Sequence, residues 1–249
     1  MKAIDILPDL NQRPVSKGSE CTLVIGDTHW PYGHPSSLSF ISAIADKFCP
    51  DRVLHIGDET DGHAYSFHNA DGELLSPGAE FKKARAHAQG YFKLFPKMQL
   101  MESNHGSLLY RKAKFHGIPR EALRPYCEML ETPTWTWHDD LQILMSNGSL
   151  FYFCHGRTGT SNKLSRNLAM STVQGHFHSK AEITTWANSQ GQVFFDCYTG
   201  CLVDQRCLSQ AYNKLTLSRP MLSSLVIIKG IPQLIPMNLD RVGRWDRKL

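Results

Sequence analysis

No stretch of this chain approaches the ~20 consecutive apolar residues that a membrane-spanning helix needs, so no membrane partner is expected. The first twenty residues scatter Asp5, Asp9, Asn11, Arg13 and Lys17 among isolated apolar positions. They lack the apolar centre of a secretory signal, and a cytoplasmic protein is expected. Cysteine is scarce, at 7 in 249 residues, odd in number and never spaced as Cys-x-x-Cys. That argues against a disulfide framework and against a cysteine-based zinc cluster. Cys21, Cys154, Cys197 and Cys201 lie in apolar, strand-like runs and are expected as buried thiols. Internal repeats and low-complexity linkers are absent as well. What remains is an ordinary globular balance, 41% hydrophobic and 20% charged. The length suits one domain, read here as 21–249 after an extended, polar lead-in over 1–20.

Short β-branched and apolar runs predict buried strands at Cys21–Ile25, Arg52–Ile56 and Met98–Glu102. Between them, Ser36 or Ser37 can cap a helix with Leu38, Ile41, Ala45 and Phe48 on one face. A loop rich in Gly, Asp, His and Ser spans 59–76, and a basic amphipathic helix follows from about Pro77 to Phe95. Helices are predicted around 107–115 and 119–130, with Pro119 in the first turn of the second. From Leu141 on, strand-like runs recur at Leu141–Met145, Leu150–Cys154, Thr172–Gln174, Ile183–Trp186, Gln192–Tyr198, Ser224–Ile228 and Ile231–Pro236. An alternating first half and a β-rich second half predict an α/β protein of two packed sheets with helices outside.

Charge is unevenly spread. Between Phe81 and Arg124 stand ten basic residues against Glu102 and Glu121, a net +8 in a chain of +4. Two readings stand: the solvated faces of two helices, or a surface for a polyanion.

Twelve histidines are present, and several fall just after predicted strands. Asp27 and His29 follow the first, Asp58 the second, and Asn104 with His105 the third. In the second half, His155 follows Leu150–Cys154, and Gly175-His176-Phe177-His178 follows Thr172–Gln174. Ligand sites in α/β sheets gather at the carboxyl ends of strands, so these groups can converge. Residues two apart in an extended segment share a side, which lets Asp27 with His29, and His176 with His178, grip one ion. Carboxylate, amide and imidazole together suit Mn, Fe, Zn, Ni or Mg. Each piece alone is commonplace; five in this order are not.

The order Asp27-x-His29, Gly57-Asp58, Asn104-His105, His155-Gly156, Gly175-His176-x-His178 resembles the calcineurin-like metallophosphoesterase family, in particular its single-domain, phage-type members. The match spans roughly residues 21–180. The resemblance implies a four-layer αββα sandwich with two mixed β-sheets. It implies two divalent metal ions, manganese before others, one held by Asp27, His29 and His178 and one by Asn104, His155 and His176. Asp58 would bridge them, and His105 would stand by the leaving-group oxygen. A hydroxide between the ions would attack phosphorus. The family places Gly before the Asn-His pair and an acidic residue after it. Here Ser103 and Gly106 stand there, so Glu102 or Asp61 is the candidate to orient His105.

The expected activity is therefore metal-dependent hydrolysis of a phosphate ester. A phosphodiesterase or nuclease acting on DNA or nucleotides is the leading reading, because the +8 segment flanks Asn104-His105 and phosphate backbones reward clustered Lys and Arg. Arg111, Lys112 and Arg157 are candidate substrate contacts. A phosphomonoesterase for protein or small-molecule phosphates is the alternative, and a binding module without turnover is a third. His63 and His68 could line the cleft. Trp135 and Trp137 alternate as in an edge strand, where packing outweighs base stacking.

Overall fold

The computed structural model describes residues 15–67, 73–207 and 219–249. Among the described residues, seventeen strands and α-helices follow one another: β1 (Val15–Ser19), β2 (Cys21–Ile25), α1 (Ser37–Phe48), β3 (Arg52–His55), α2 (Pro77–Leu94), β4 (Gln99–Met101), α3 (Leu108–Phe115), α4 (Tyr126–Met129), β5 (Thr136–His138), β6 (Leu141–Met145), β7 (Leu150–Cys154), α5 (Lys163–Leu168), β8 (Ser171–Gln174), β9 (Ala181–Ala187), β10 (Val193–Thr199), β11 (Ser223–Ile228) and β12 (Ile231–Pro236). They build two six-stranded sheets, ordered β1-β6-β7-β8-β10-β9 and β12-β11-β2-β3-β4-β5. Both are mixed: β2, β3, β4 and β5 pair in parallel and β11 joins antiparallel, while β7, β8 and β10 are parallel and β6 and β9 antiparallel.

The period-2 alternation of the strands sorts side chains between layers. On β2, Leu23 and Ile25 join a core with Phe40, Ile41 and Ile44 of α1 and Ala84, Ala88 and Tyr91 of α2. Val24, pointing the other way, enters a second core with Leu54, Met101, Ile143, Phe151, Phe153, Val173 and Leu225. That core draws on both sheets and so fuses them face to face. Truncating Phe151 or Phe153, both fully buried, to Ala would cost about 3–5 kcal/mol. The short α5 lies against β8 and β10 on the far side. The architecture is thus the expected αββα sandwich. No helix among the described residues is long and apolar enough to cross a membrane.

Several expectations need adjusting. The end of the lead-in, Val15–Ser19, forms an edge strand that pairs in parallel with β6. The single helix expected over 119–130 is instead a 3-10 turn at Arg120–Ala122 and the one-turn α4. Pro125 breaks it: proline has no N–H to donate and bars the helical conformation to the residue before it. Its ψ of 147° is extended. Trp137 lies on β5, an edge strand, and Trp135 is buried in the core beside Trp30. The seven cysteines are free, and Cys21, Cys154, Cys197 and Cys201 are buried.

Candidate metal centre

Parallel pairing of β2, β3 and β4 puts their carboxyl ends at one edge of the second sheet, where Asp27, Asp58 and Asn104 follow them. Parallel β7 and β8 do the same for His155 and His176 in the first sheet. Backbone bonds lock the loops together: the N–H groups of Thr28 and His29 donate to the Asp58 carbonyl, and that of Gly175 to His155. The Asp27 carboxylate accepts the His176 N–H at 2.8 Å.

Among the described residues, two nests of ligand atoms share Asp58, and a third group, His29, Asp61 and His105, adjoins them. In the first, Asp27, His29, Asp58 and His178 converge, with the Nε2 atoms of His29 and His178 3.1 Å apart and Asp27 Oδ2 3.2 Å from His178 Nε2. In the second, Asp58, His155 and His176 converge, and Asn104 Oδ1 lies 2.8 Å from His155 Nε2 and 3.0 Å from His176 Nδ1. Asp58 Oδ2 belongs to both, 3.5 Å from His29 Nε2 and 3.2 Å from His155 Nε2. Every residue named from sequence as a candidate ligand is therefore in the cluster.

The chemistry of these donors fits metal ions. Asp27, Asp58 and Asp61 are buried together, and buried carboxylates demand positive charge. Asp27 Oδ1 is buried without a hydrogen-bond partner. With protons as the only cations, the imidazoles take up that role. Burial works to lower the His29 pKa, but its hydrogen bonds to the Asp58 and Asp61 carboxylates lift it well above the usual value. Burial likewise opposes the charge on His155, yet the Asp58 carboxylate beside it pushes its pKa up to about 9. Burial would raise the Asp58 carboxyl, and His155 and His105 instead hold it well below the usual carboxylate range. Metal ions compete with protons for such ligands. The cluster can hold metal ions.

Backbone geometry supports the cradle. His29, Asp58 and His176 have φ of 47°, 49° and 67°, a left-handed conformation uncommon outside glycine and concentrated at functional sites. Gly57, at φ 106°, leaves no room for a side chain: a Cβ there would stand 2.7 Å from His155 Nδ1. A Cβ on Gly175 would overlap the Asp27 carboxylate.

His105 sits beside both nests. Its backbone N–H donates to Asp58 Oδ1 at 3.0 Å, and its ring stands edge-on to His29. Its Nδ1 is hydrogen-bonded to the Asp61 carbonyl, so Asp61 orients it, through the main chain rather than the carboxylate 3.9 Å away. Glu102, the other candidate for that task, faces Arg120 at 3.8 Å. Burial lowers the His105 pKa, against the pull of Asp58.

The expected substrate contacts divide. Arg111 donates to the Asn104 carbonyl at 2.6 Å, and Lys112 lies one residue on. Arg157 is placed against Asp140, 3.7 Å away, so a phosphate contact would require that pairing to break. His63 lies in the 3-10 turn after Asp61, and His68 falls outside the described residues. Beyond Gly106 a cavity of about 810 Å³ opens, lined in part by Tyr110, Arg120, Arg124, Tyr126 and Trp137.

Sequence reasoning missed His55. It is fully buried on β3; its Nδ1 accepts the Gly57 N–H at 3.2 Å, so Nε2 carries the proton and donates to Thr28 Oγ1 at 3.0 Å. The Thr28 hydroxyl donates in turn to the Glu59 carbonyl at 3.1 Å. This chain of bonds holds the Asp27 and Asp58 loops in register. Its only sequence signal is a histidine inside a strand, two residues before Gly57.

Fold and site together define an αββα sandwich with a buried carboxylate–imidazole centre able to hold metal. Compared by sequence, the chain matches no family model and no curated protein. In structure it is similar to Vps29 of Chaetomium thermophilum, with a TM-score of 0.46 and 11% identity over 92% of this chain and 93% of that one. It is also similar to YfcE, a phosphoesterase from E. coli, with a TM-score of 0.44 and 11% identity over 88% of this chain and 100% of that one. At these scores a functional reading rests on the chain's own residues.

Proposed function

We propose that the protein is a metal-dependent phosphoesterase of the calcineurin-like type that cleaves phosphodiesters of nucleic acid or nucleotides. The observation that carries this reading is Asp58 Oδ2, shared between a nest of Asp27, His29 and His178 and a nest of Asn104, His155 and His176. Each nest would hold one divalent ion, and its two imidazoles favour manganese over magnesium. Such ions neutralise phosphate oxygens and make water more acidic. Asp58 would contribute one charge to both positions. His105, with its Nδ1–H committed to the Asp61 carbonyl, has Nε2 left for the departing oxygen, to which it delivers a proton when the ring is in its charged imidazolium form. Arg111 and Lys112, close behind the Asn104-His105 pair, supply positive charge for the neighbouring phosphates of a chain.

The test is turnover of a chromogenic diester, its monoester, single-stranded DNA and duplex DNA by the same preparation, before and after chelation and with manganese restored. Activity should vanish on chelation, return with manganese at least as well as with magnesium, and favour diesters. Undiminished hydrolysis after exhaustive chelation would overturn the metal-dependent reading. Turnover of the monoester alone would replace the diesterase by a phosphomonoesterase.

A further inference from the structure

Two phenylalanines stand exposed, one on the segment after Asp61 and one at the end of the helix that follows His105. Phe67, six residues past Asp61, is 49% exposed, and Phe115, the last residue of α3, is 76% exposed. Single exposed apolar side chains are ordinary, but these two meet, with ring centroids 6.4 Å apart and planes at 82°. Cations frame them: Lys112 Nζ lies 4.4 Å from the Phe67 centroid and Arg111 Cζ 5.5 Å. From Ser103 to Pro119 the chain carries Arg111, Lys112 and Lys114 and no acidic residue. Arg111 also joins this patch to the centre, since it donates to the Asn104 carbonyl.

Packing does not account for this arrangement, because neither ring is buried by its neighbour. Exposed aromatic rings flanked by cations are what single-stranded nucleic acid uses: unpaired bases stack on the rings, and the phosphates between them take Lys and Arg. A duplex keeps its base faces stacked inside and gains only the charge. We propose that Phe67 and Phe115, with Arg111 and Lys112, form a stacking platform that binds single-stranded nucleic acid and leads it to the Asp58-centred site. This rests on the phosphodiesterase reading and narrows its substrate.

The test is fluorescence anisotropy of a labelled oligothymidylate on the full chain, with chelator present so that nothing is cut. An oligouridylate and a duplex of equal length serve as further arms. Phe115→Ala, at a position too exposed to unsettle the fold, should weaken binding of a single strand about tenfold or more, and Phe115→Trp should restore it. Lys112→Gln should reduce the log–log salt slope by about 0.7. The duplex should bind more weakly and respond little to Phe115→Ala. Equal binding by Phe115→Ala and the wild type overturns the platform, as does wild-type indifference to strandedness or failure to bind either single strand. Chromogenic-diester turnover by the wild type judges the enzyme separately. A competent diesterase whose oligonucleotide binding ignores Phe115 loses the platform alone. An inert protein whose binding depends on Phe115 loses the catalytic reading alone.

Discussion

Acidification from pH 7 to pH 4 should cost the metal-free fold about 3 kcal/mol through one side chain, His55. Burial pushes its pKa from the ordinary 6.5 down to about 4, although Asp27 and Asp58 pull the other way. The hydrogen bonds explain the direction: Nδ1 accepts from the Gly57 N–H, so a second ring proton would set donor against donor. An unfolded chain takes that proton at about pH 6.5, while the folded one declines it until about pH 4. The contribution is therefore complete above pH 6.5 and is lost as pH falls toward 4, and the difference amounts to about 3 kcal/mol. His55→Gln keeps a donor and an acceptor but cannot titrate. Urea unfolding of the chelated wild type and variant across this range isolates the effect, since the carboxylates common to both cancel. The variant should start less stable by about 1–3 kcal/mol, for imperfect bonds to Gly57 and Thr28, and lose about 3 kcal/mol less on acidification. Parallel stability curves for the two proteins between pH 6.5 and pH 4 would refute the buried neutral imidazole.

Asp58→Asn removes the charge shared by both nests and should lose bound metal and diester turnover together; elemental analysis showing full metal content with normal turnover would end the bridging assignment. His105→Ala should keep its metal yet lower kcat about 10²–10⁴-fold, less for a nitrophenyl leaving group that needs no proton. An equal loss for good and poor leaving groups would make His105 a positioning residue. Gly175→Ala drives a methyl into the Asp27 carboxylate and Ile56, so stability should fall by about 1–3 kcal/mol and manganese affinity with it, checked by unfolding and by metal titration.

Much of the fold could be read locally. Apolar, β-branched runs such as Cys-Thr-Leu-Val-Ile at 21–25 and Leu-Phe-Tyr-Phe-Cys at 150–154 mark strands buried on both faces, and the structure has them there. Two of the four edge strands were harder to read, because β1 and β5 lack the apolar density of a central strand. The helix expected over 119–130 failed at Pro125, where one residue's chemistry outweighs the periodicity around it.

The candidate site divides along the same line. Sequence by itself determined which groups can serve as ligands, because each follows a strand end, where backbone runs out of partners and side chains converge. Only the tertiary structure decided how they meet. Asp27 receives the His176 N–H, and His29 faces His178, across 149 residues of chain. It decided that Asp61 orients His105 through a carbonyl, that Arg157 turns to Asp140, and that His55 braces two loops from within a strand. Left-handed backbone at His29, Asp58 and His176 belongs to the same category. Short-range periodicity reports on neighbours a few residues apart, whereas these contacts are set by the pairing and packing of two sheets, in which distance along the chain has no part.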